Sequence, residues 1–172
     1  LRTLVTGGVR SGKSAHAESL LAGMPVTYIA PGPTADDADW AARVAAHRAR
    51  RPSEWSTVET GDLVSALSVE GPVLIDCLGT WLNRWLDERQ LWETDTETAV
   101  ASVATELDRI VVAIRQDPAR DLVVVTNEVG LGVVPEHRSG RLFRDLLGLI
   151  NQRVAAACDE VHLVIAGRVL TL

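Results

Sequence analysis

Apolar positions recur along this chain in two alternating patterns. Short runs rich in β-branched residues, at 2–6, 26–30, 55–59, 72–76, 121–126 and 161–166, read as strands, and a last run at 168–172 follows Gly167. Between them, apolar residues spaced three and four apart predict helices over 13–22, 35–50, 61–67, 78–87, 97–116 and 139–158. The stripe Val100, Val103, Ala104, Leu107, Ile110, Val111 and Ile114 is the clearest, and Phe143, Leu146, Leu147, Ile150 and Val154 form a second. The runs 72–75 and 122–125 are continuously apolar, which marks strands buried on both faces, as in a parallel sheet. Strand–helix alternation of this kind predicts an α/β fold: an open, mostly parallel sheet with helices on both faces. The run after Gly167 would close a short C-terminal antiparallel hairpin, and the polar stretch 87–97 would be a surface loop. No repeat, low-complexity tract or linker interrupts the chain, so one domain over 1–172 is expected.

In such a sheet, ligands collect beyond the carboxyl ends of the strands. The residues expected there are Gly7 onward, Pro31-Gly32-Pro33, Glu59, Asp76 and Asn127-Glu128. The first of these positions opens a specific pattern. Gly7-Gly8-Val9-Arg10-Ser11-Gly12-Lys13-Ser14 follows an apolar strand and precedes a helical segment, which is the setting a G-x-x-x-x-G-K-S phosphate loop requires. Successive backbone N–H groups, backed by a helix N-terminus, make a concave anion site. Glycines allow the close approach and the positive φ. Lys13 would reach the β- and γ-phosphates, and the Ser14 hydroxyl would ligate Mg²⁺. The sheet is thus expected to be a RecA-like P-loop NTPase fold. The loop does not say what becomes of the nucleotide: a small-molecule kinase or a nucleotide-switched binding subunit would share it. Asp76 ends an apolar strand, where a carboxylate can complete the metal shell of a P-loop enzyme; the other reading is a cap for the helix that starts near Leu78.

Charge narrows the partners. The formal net charge of −6 is wrong for a nucleic-acid clamp but permits a local cationic site for one nucleotide. Against that background, Arg43, Arg48, Arg50 and Arg51 cluster around His47. The segment reads either as the basic end of a helix, favourable for the helix dipole, or as a phosphate-binding group. Two cysteines are too few for a disulfide framework, no apolar run approaches ~18 residues, and no basic leader opens the chain. A cytoplasmic protein without membrane insertion is expected. Trp81, Trp85 and Trp92 lie near Leu78 and Leu82 at helical spacing and read as packing residues rather than a ligand platform. His16, His137 and His162 have no ligand-like spacing and receive no chemical role.

Three segments taken together resemble one family: the phosphate loop; His47-Arg48-Ala49-Arg50-Arg51-Pro52 with Trp55; and Thr126-Asn127-Glu128-Val129-Gly130-Leu131-Gly132-Val133-Val134-Pro135-Glu136. The chain is similar to the bifunctional adenosylcobinamide kinases / adenosylcobinamide-phosphate guanylyltransferases of cobalamin biosynthesis. The likeness extends through Arg141–Asp145 and Asn151-Gln152-Arg153 to the last strand. It implies two reactions: phosphorylation of adenosylcobinamide by ATP or GTP, then transfer of GMP from GTP through a guanylylated histidine to adenosylcobinamide phosphate. The resemblance makes His47 the nucleophile and Lys13 the second catalytic residue. Motif, strand-end position and residue chemistry together place the nucleotide on Gly7, Gly8, Val9, Arg10, Ser11, Gly12, Lys13, Ser14, Pro31, Gly32, Arg48, Ala49, Arg50, Arg51, Glu59 and Asp76, with Mg²⁺ expected on Ser14 and Asp76. Asp76 departs from the Glu that some relatives carry, and is one methylene shorter. A homo-oligomer, a trimer as in relatives, is also implied. Residue chemistry agrees: a neutral imidazole can attack phosphorus, guanidinium forks match phosphoryl oxygens, and Glu59 could accept from the N1–H and N2–H₂ edge of guanine. Glu128 could order a metal-bound water or bond the backbone of the loop that follows it.

Overall fold

The computed structural model describes residues 1–33 and 51–172, together with Ala45. The helix expected over 35–50, and with it His47, Arg48, Ala49 and Arg50, lies outside the described residues apart from Ala45. Seven strands form one sheet: β1 (Arg2–Gly7), β2 (Thr27–Ala30), β3 (Ser56–Glu59), β4 (Val73–Asp76), β5 (Leu122–Val125), β6 (Glu160–Ile165) and β7 (Arg168–Thr171). Their order is β3-β2-β4-β5-β1-β6-β7, parallel throughout except for the antiparallel β6–β7 hairpin. The described helices are α1 (Lys13–Leu20), α2 (Leu63–Ala66), α3 (Leu78–Glu88), α4 (Thr96–Gln116) and α5 (Arg138–Ala155). None is long and apolar enough to cross a membrane.

The continuously apolar strands feed two cores. Leu4, Ile29, Val73, Ile75, Leu122 and Val124 point to one face, where the apolar stripes of α2 to α5 cover them. Their neighbours Val5, Tyr28, Leu74, Val123 and Val125 point to the other, against Ala17 and Leu21 of the α1 segment. The two-residue period of a strand makes this division automatic. Each such buried aliphatic side chain contributes roughly 1.5–3 kcal/mol, so the central strands carry most of the burial that stabilises the sheet. Helix α4 is the amphipathic helix its stripe predicts, started by Asp95, whose carboxylate accepts from the Thr98 N–H at 2.8 Å.

Helix ends differ from expectation for local reasons. Helix α1 stops at Leu20, because the chain turns through Gly23 at φ 79 and Met24 N–H donates to Leu21 O. Helix α2 begins only at Leu63, where the Asp62 carboxylate caps Ser65 N–H. The stretch 87–97 is a surface loop only in part: α3 continues to Glu88, Leu91 is buried in the core, and Arg138 donates to the Trp92 and Thr94 carbonyls. Polar composition concealed an apolar anchor there.

Strand β1 is tied to the start of β6 by Arg2 and Asp159. The Arg2 guanidinium meets Asp159 Oδ1 at 2.5 Å, and the Arg2 backbone N–H donates to Asp159 Oδ2 at 2.8 Å. These bonds, the side-chain one foremost, hold the Asp159 carboxyl down at about 2 from its ordinary 3.8. A depressed carboxylate contributes stability that is complete above its unfolded value and lost as pH falls through its folded one. Asp159→Asn should therefore be less stable than the parent at neutral pH, with the difference closing between about pH 4 and about pH 2. Urea midpoints measured across that range check it; a difference independent of pH would show that the charge of Asp159 is not involved.

Candidate active site

The carboxyl ends of β1, β5 and β4 define the site. Register aligns Val5 with Val125 and Val125 with Asp76, so Asp76 stands level with the phosphate-loop strand across one intervening strand. With strands ~4.8 Å apart, that separation is roughly 10 Å, the span a bound phosphate with its cation must fill.

The loop from Gly7 to Ser14 has the expected shape. Gly12 adopts φ 96, a left-handed conformation that disfavours a side chain, and α1 starts at the next residue. Gly7 has no room for a side chain: a Cβ there would lie 2.4 Å from the Val164 carbonyl oxygen. Lys13 is buried, and its ammonium donates to Gly8 O at 3.0 Å, which holds it over the loop. Gly8, Val9 and Arg10 form the exposed rim, Arg10 at φ 55. Among the described residues, the Thr6 and Ser11 hydroxyls are buried without a hydrogen-bond partner. Orphaned donors beside a helix N-terminus are what an anionic ligand would satisfy. Ser14, in the first turn of α1, and Asp76 supply the hard oxygen donors that suit Mg²⁺.

Asp76 is not a helix cap. Cys77 occupies that position, with the Thr80 hydroxyl donating to Cys77 O at 2.9 Å and accepting from Cys77 N–H at 3.4 Å. Asp76 instead accepts from the Tyr28 hydroxyl at 3.1 Å. Burial, and then the Asp76 carboxylate, push the Tyr28 phenol far above its ordinary value, so it remains a donor. On the face of the same ring lies the Arg51 guanidinium, 3.3 Å from the centroid, with Nη1 donating to Thr57 Oγ1 at 3.1 Å. Tyr28 thus connects Arg51, from the basic segment, to the strand-end carboxylate. Sequence reasoning missed it, although it is the chain's one tyrosine and lies two residues before the end of a strand.

The remaining expected positions divide. Pro31 is buried and Gly32 half-buried at the end of β2, where Gly32 O accepts from Arg84 Nη1 at 3.4 Å. Glu59 ends β3, at the sheet edge beside Ala30. A cleft of about 390 Å³ opens next to it, lined by Gly61, Arg84, Trp85 and Arg89 among others. Trp81 is buried against its neighbour Trp85, both also line this cleft, and Trp92 stacks on Phe143. Asn127 and Glu128 serve the loop architecture. Asn127 Oδ1 accepts from the Cys77 thiol at 3.3 Å, Glu128 N–H donates to Gly7 O at 3.1 Å, and Glu128 Oε1 accepts from Gly130 N–H at 2.7 Å. His16 and His162, given no role above, are in contact, with Nε2 and Nδ1 separated by 2.9 Å.

A family model described as cobinamide kinase / cobinamide phosphate guanyltransferase matches residues 3–172. The chain belongs to that family. Its members are bifunctional enzymes, so this is an enzyme of the kinase and guanylyltransferase class. The bifunctional adenosylcobalamin biosynthesis proteins CobU of Salmonella typhimurium and of Escherichia coli are each 41% identical to it, over 95% of this chain and 95% of theirs. The bifunctional adenosylcobalamin biosynthesis protein CobP of Pseudomonas aeruginosa is 38% identical, over 97% of this chain and 94% of its own. Among solved structures, an ATPase from the type III secretion system of pathogenic bacteria matches with a TM-score of 0.54 at 12% identity, over 94% of this chain and 50% of that one. That likeness speaks to the fold alone: a mostly parallel sheet with helices, as the strand–helix alternation predicts.

Removing the Tyr28 hydroxyl tests the connection to Asp76. Tyr28→Phe keeps the ring beneath Arg51 and should cost about 1 kcal/mol, the worth of one hydrogen bond. Tyr28→Leu also removes the ring and should cost about 2–4 kcal/mol. Urea unfolding distinguishes them; a Tyr28→Phe variant as stable as the parent would mean that the hydroxyl contributes nothing.

Proposed function

We propose that this enzyme phosphorylates the aminopropanol hydroxyl of adenosylcobinamide with a nucleoside triphosphate, and then transfers GMP from GTP to the product through His47. The observation that carries the reading is the linkage of Arg51, four residues after His47, through Tyr28 to Asp76 in register with the phosphate loop. It supports one site in which a phosphate loop, a strand-end carboxylate and the basic segment act on the same nucleotide.

In the kinase step the substrate hydroxyl attacks the γ-phosphorus and the nucleoside diphosphate leaves. Backbone N–H groups of Gly8 to Lys13 orient the triphosphate, and the Lys13 ammonium offsets charge on its β- and γ-oxygens. Mg²⁺, held by Ser14 and Asp76, would supply further neutralisation of those oxygens. In the second reaction a neutral His47 nitrogen attacks the α-phosphorus of GTP, a P–N bond forms and pyrophosphate departs. Arg48, Arg50 and Arg51 stabilise the crowded negative charge, and Glu59 reads the guanine edge. The phosphate of the cobinamide product then attacks the same phosphorus, breaks the P–N bond and restores the imidazole, giving adenosyl-GDP-cobinamide. A kinase without covalent chemistry is the competing reading, and the same experiment separates the two.

Incubation with α-labelled GTP should label the protein covalently, through an acid-labile, base-stable bond. His47→Ala should abolish the label and GMP transfer while phosphorylation of cobinamide persists. An adduct on any other residue, or none on the parent enzyme, would overturn the assignment.

Asp76→Asn tests the metal. The sheet should fold, while the Mg²⁺ concentration needed for half-maximal phosphoryl transfer rises and the saturated rate falls by about 10-fold or more, the scale of one lost charged contact. An unchanged Mg²⁺ titration would free Asp76 from any metal role.

A further inference from the structure

The phosphate loop is supported on its outer side by the C-terminal hairpin. Strand β6 runs parallel to β1, with Gly7 opposite Val164, and the hairpin turn at Ala166-Gly167 reaches the loop itself. Gly167 N–H donates to Ser11 O at 2.8 Å, and a Cβ on Gly12 would meet Gly167 Cα at 3.5 Å. One turn further along, His16 joins the same hairpin. Its backbone N–H donates to Gly12 O at 3.0 Å, the bond that closes the loop into α1. Its ring Nε2 lies 2.9 Å from His162 Nδ1, and His162 Nε2 lies 3.1 Å from Glu160 Oε2.

The chemistry gives this chain a direction. With both imidazoles neutral, the Glu160 carboxylate accepts from His162 Nε2–H, which leaves His162 Nδ1 as an acceptor. His16 must then donate from Nε2, which leaves its Nδ1 unprotonated in the neutral ring. His162 is 7% exposed, so water has little access to replace either partner. The ring of His16 is thereby fixed in both tautomer and orientation while its backbone anchors the mouth of α1.

We propose that His162 and Glu160 are positioning residues for triphosphate binding. They act through His16 and, together with the Gly167–Ser11 bond, hold the phosphate loop in its anion-receptive form. The proposal rests on the nucleotide-binding part of the reading above and needs neither the metal nor His47. A loop that must be reassembled at each binding event loses part of its affinity to that reordering; a loop braced in advance does not.

The test uses the full chain and a fluorescent GTP analogue titrated without metal. Three variants are compared: His162→Phe, which fills the space but breaks both bonds; His162→Gln, whose amide can accept from His16 and donate to Glu160; and Glu160→Ala, at a half-exposed position where folding is safe. His162→Phe should weaken binding by about 5–30-fold, the loss of one or two hydrogen bonds. It should raise KM for the nucleotide, leave kcat nearly unchanged, and abolish the preference of His16 for the Nε2–H tautomer in long-range ¹⁵N NMR spectra. His162→Gln should recover affinity to within about 2-fold, and Glu160→Ala should fall between the two. If His162→Phe fails to fold, Glu160→Ala decides by the same readouts. Parent-like affinity with an unchanged His16 tautomer in the broken variants overturns the brace, as does a fall in kcat at unchanged KM. If the parent itself does not bind the analogue, the nucleotide reading falls and the brace falls with it.

Discussion

The register of three buried strands controls this molecule. Leu4 and Val5, Val123 and Val124, and Leu74 and Ile75 send successive side chains into opposite cores. A slip of one residue in any of these strands would exchange the faces and put every one of those side chains against the wrong helices. Burial on both sides therefore fixes the alignment of Val5, Val125 and Asp76 without any polar contact among them. Hydrophobic packing selects the register and the backbone ladder sets the spacing, so the distance between the phosphate-loop strand and the strand-end carboxylate needs no side-chain polar contact between them.

On that platform the loop is held from both flanks. One side is the segment after β5, where Thr126 N–H donates to Val5 O and Glu128 N–H to Gly7 O, with Asn151 bonding both Thr126 and Asn127. The other side is the C-terminal hairpin, through Gly167 and the paired histidines. Glycines at 7 and 12 permit the close approach on the hairpin side. The acidic balance of the chain is compatible with the proposed nucleotide site, which would draw on backbone dipoles, Lys13 and Arg51 rather than on the net charge. Arg51 stacks on a hydrogen-bonded phenol whose hydroxyl donates to Asp76, so Tyr28 brings a guanidinium towards the strand-end carboxylate.

Much of this was legible in the chain itself. The glycine spacing before Lys13 specifies a backbone conformation, and that conformation is the proposed anion site. Unbroken apolar runs at 73–75 and 122–125 declared two-sided burial, and the stripe along 100–114 declared the packed face of α4. Each of these signals depends only on neighbours a few residues away, where periodicity and propensity act. The motif from Thr126 to Glu136 and the basic segment around His47 carry the likeness to the family in their residue identities alone. The strand order, the Arg51–Tyr28–Asp76 linkage, the Leu91 anchor within a polar stretch and the His16–His162 contact were decided by tertiary structure. Tyr28 and Asp76 are 48 positions apart, and His16 and His162 are 146 apart, so no local pattern links them. Which side chains meet over such separations depends on how strands from distant parts of the chain are ordered in one sheet, and that order is set only when both cores are packed.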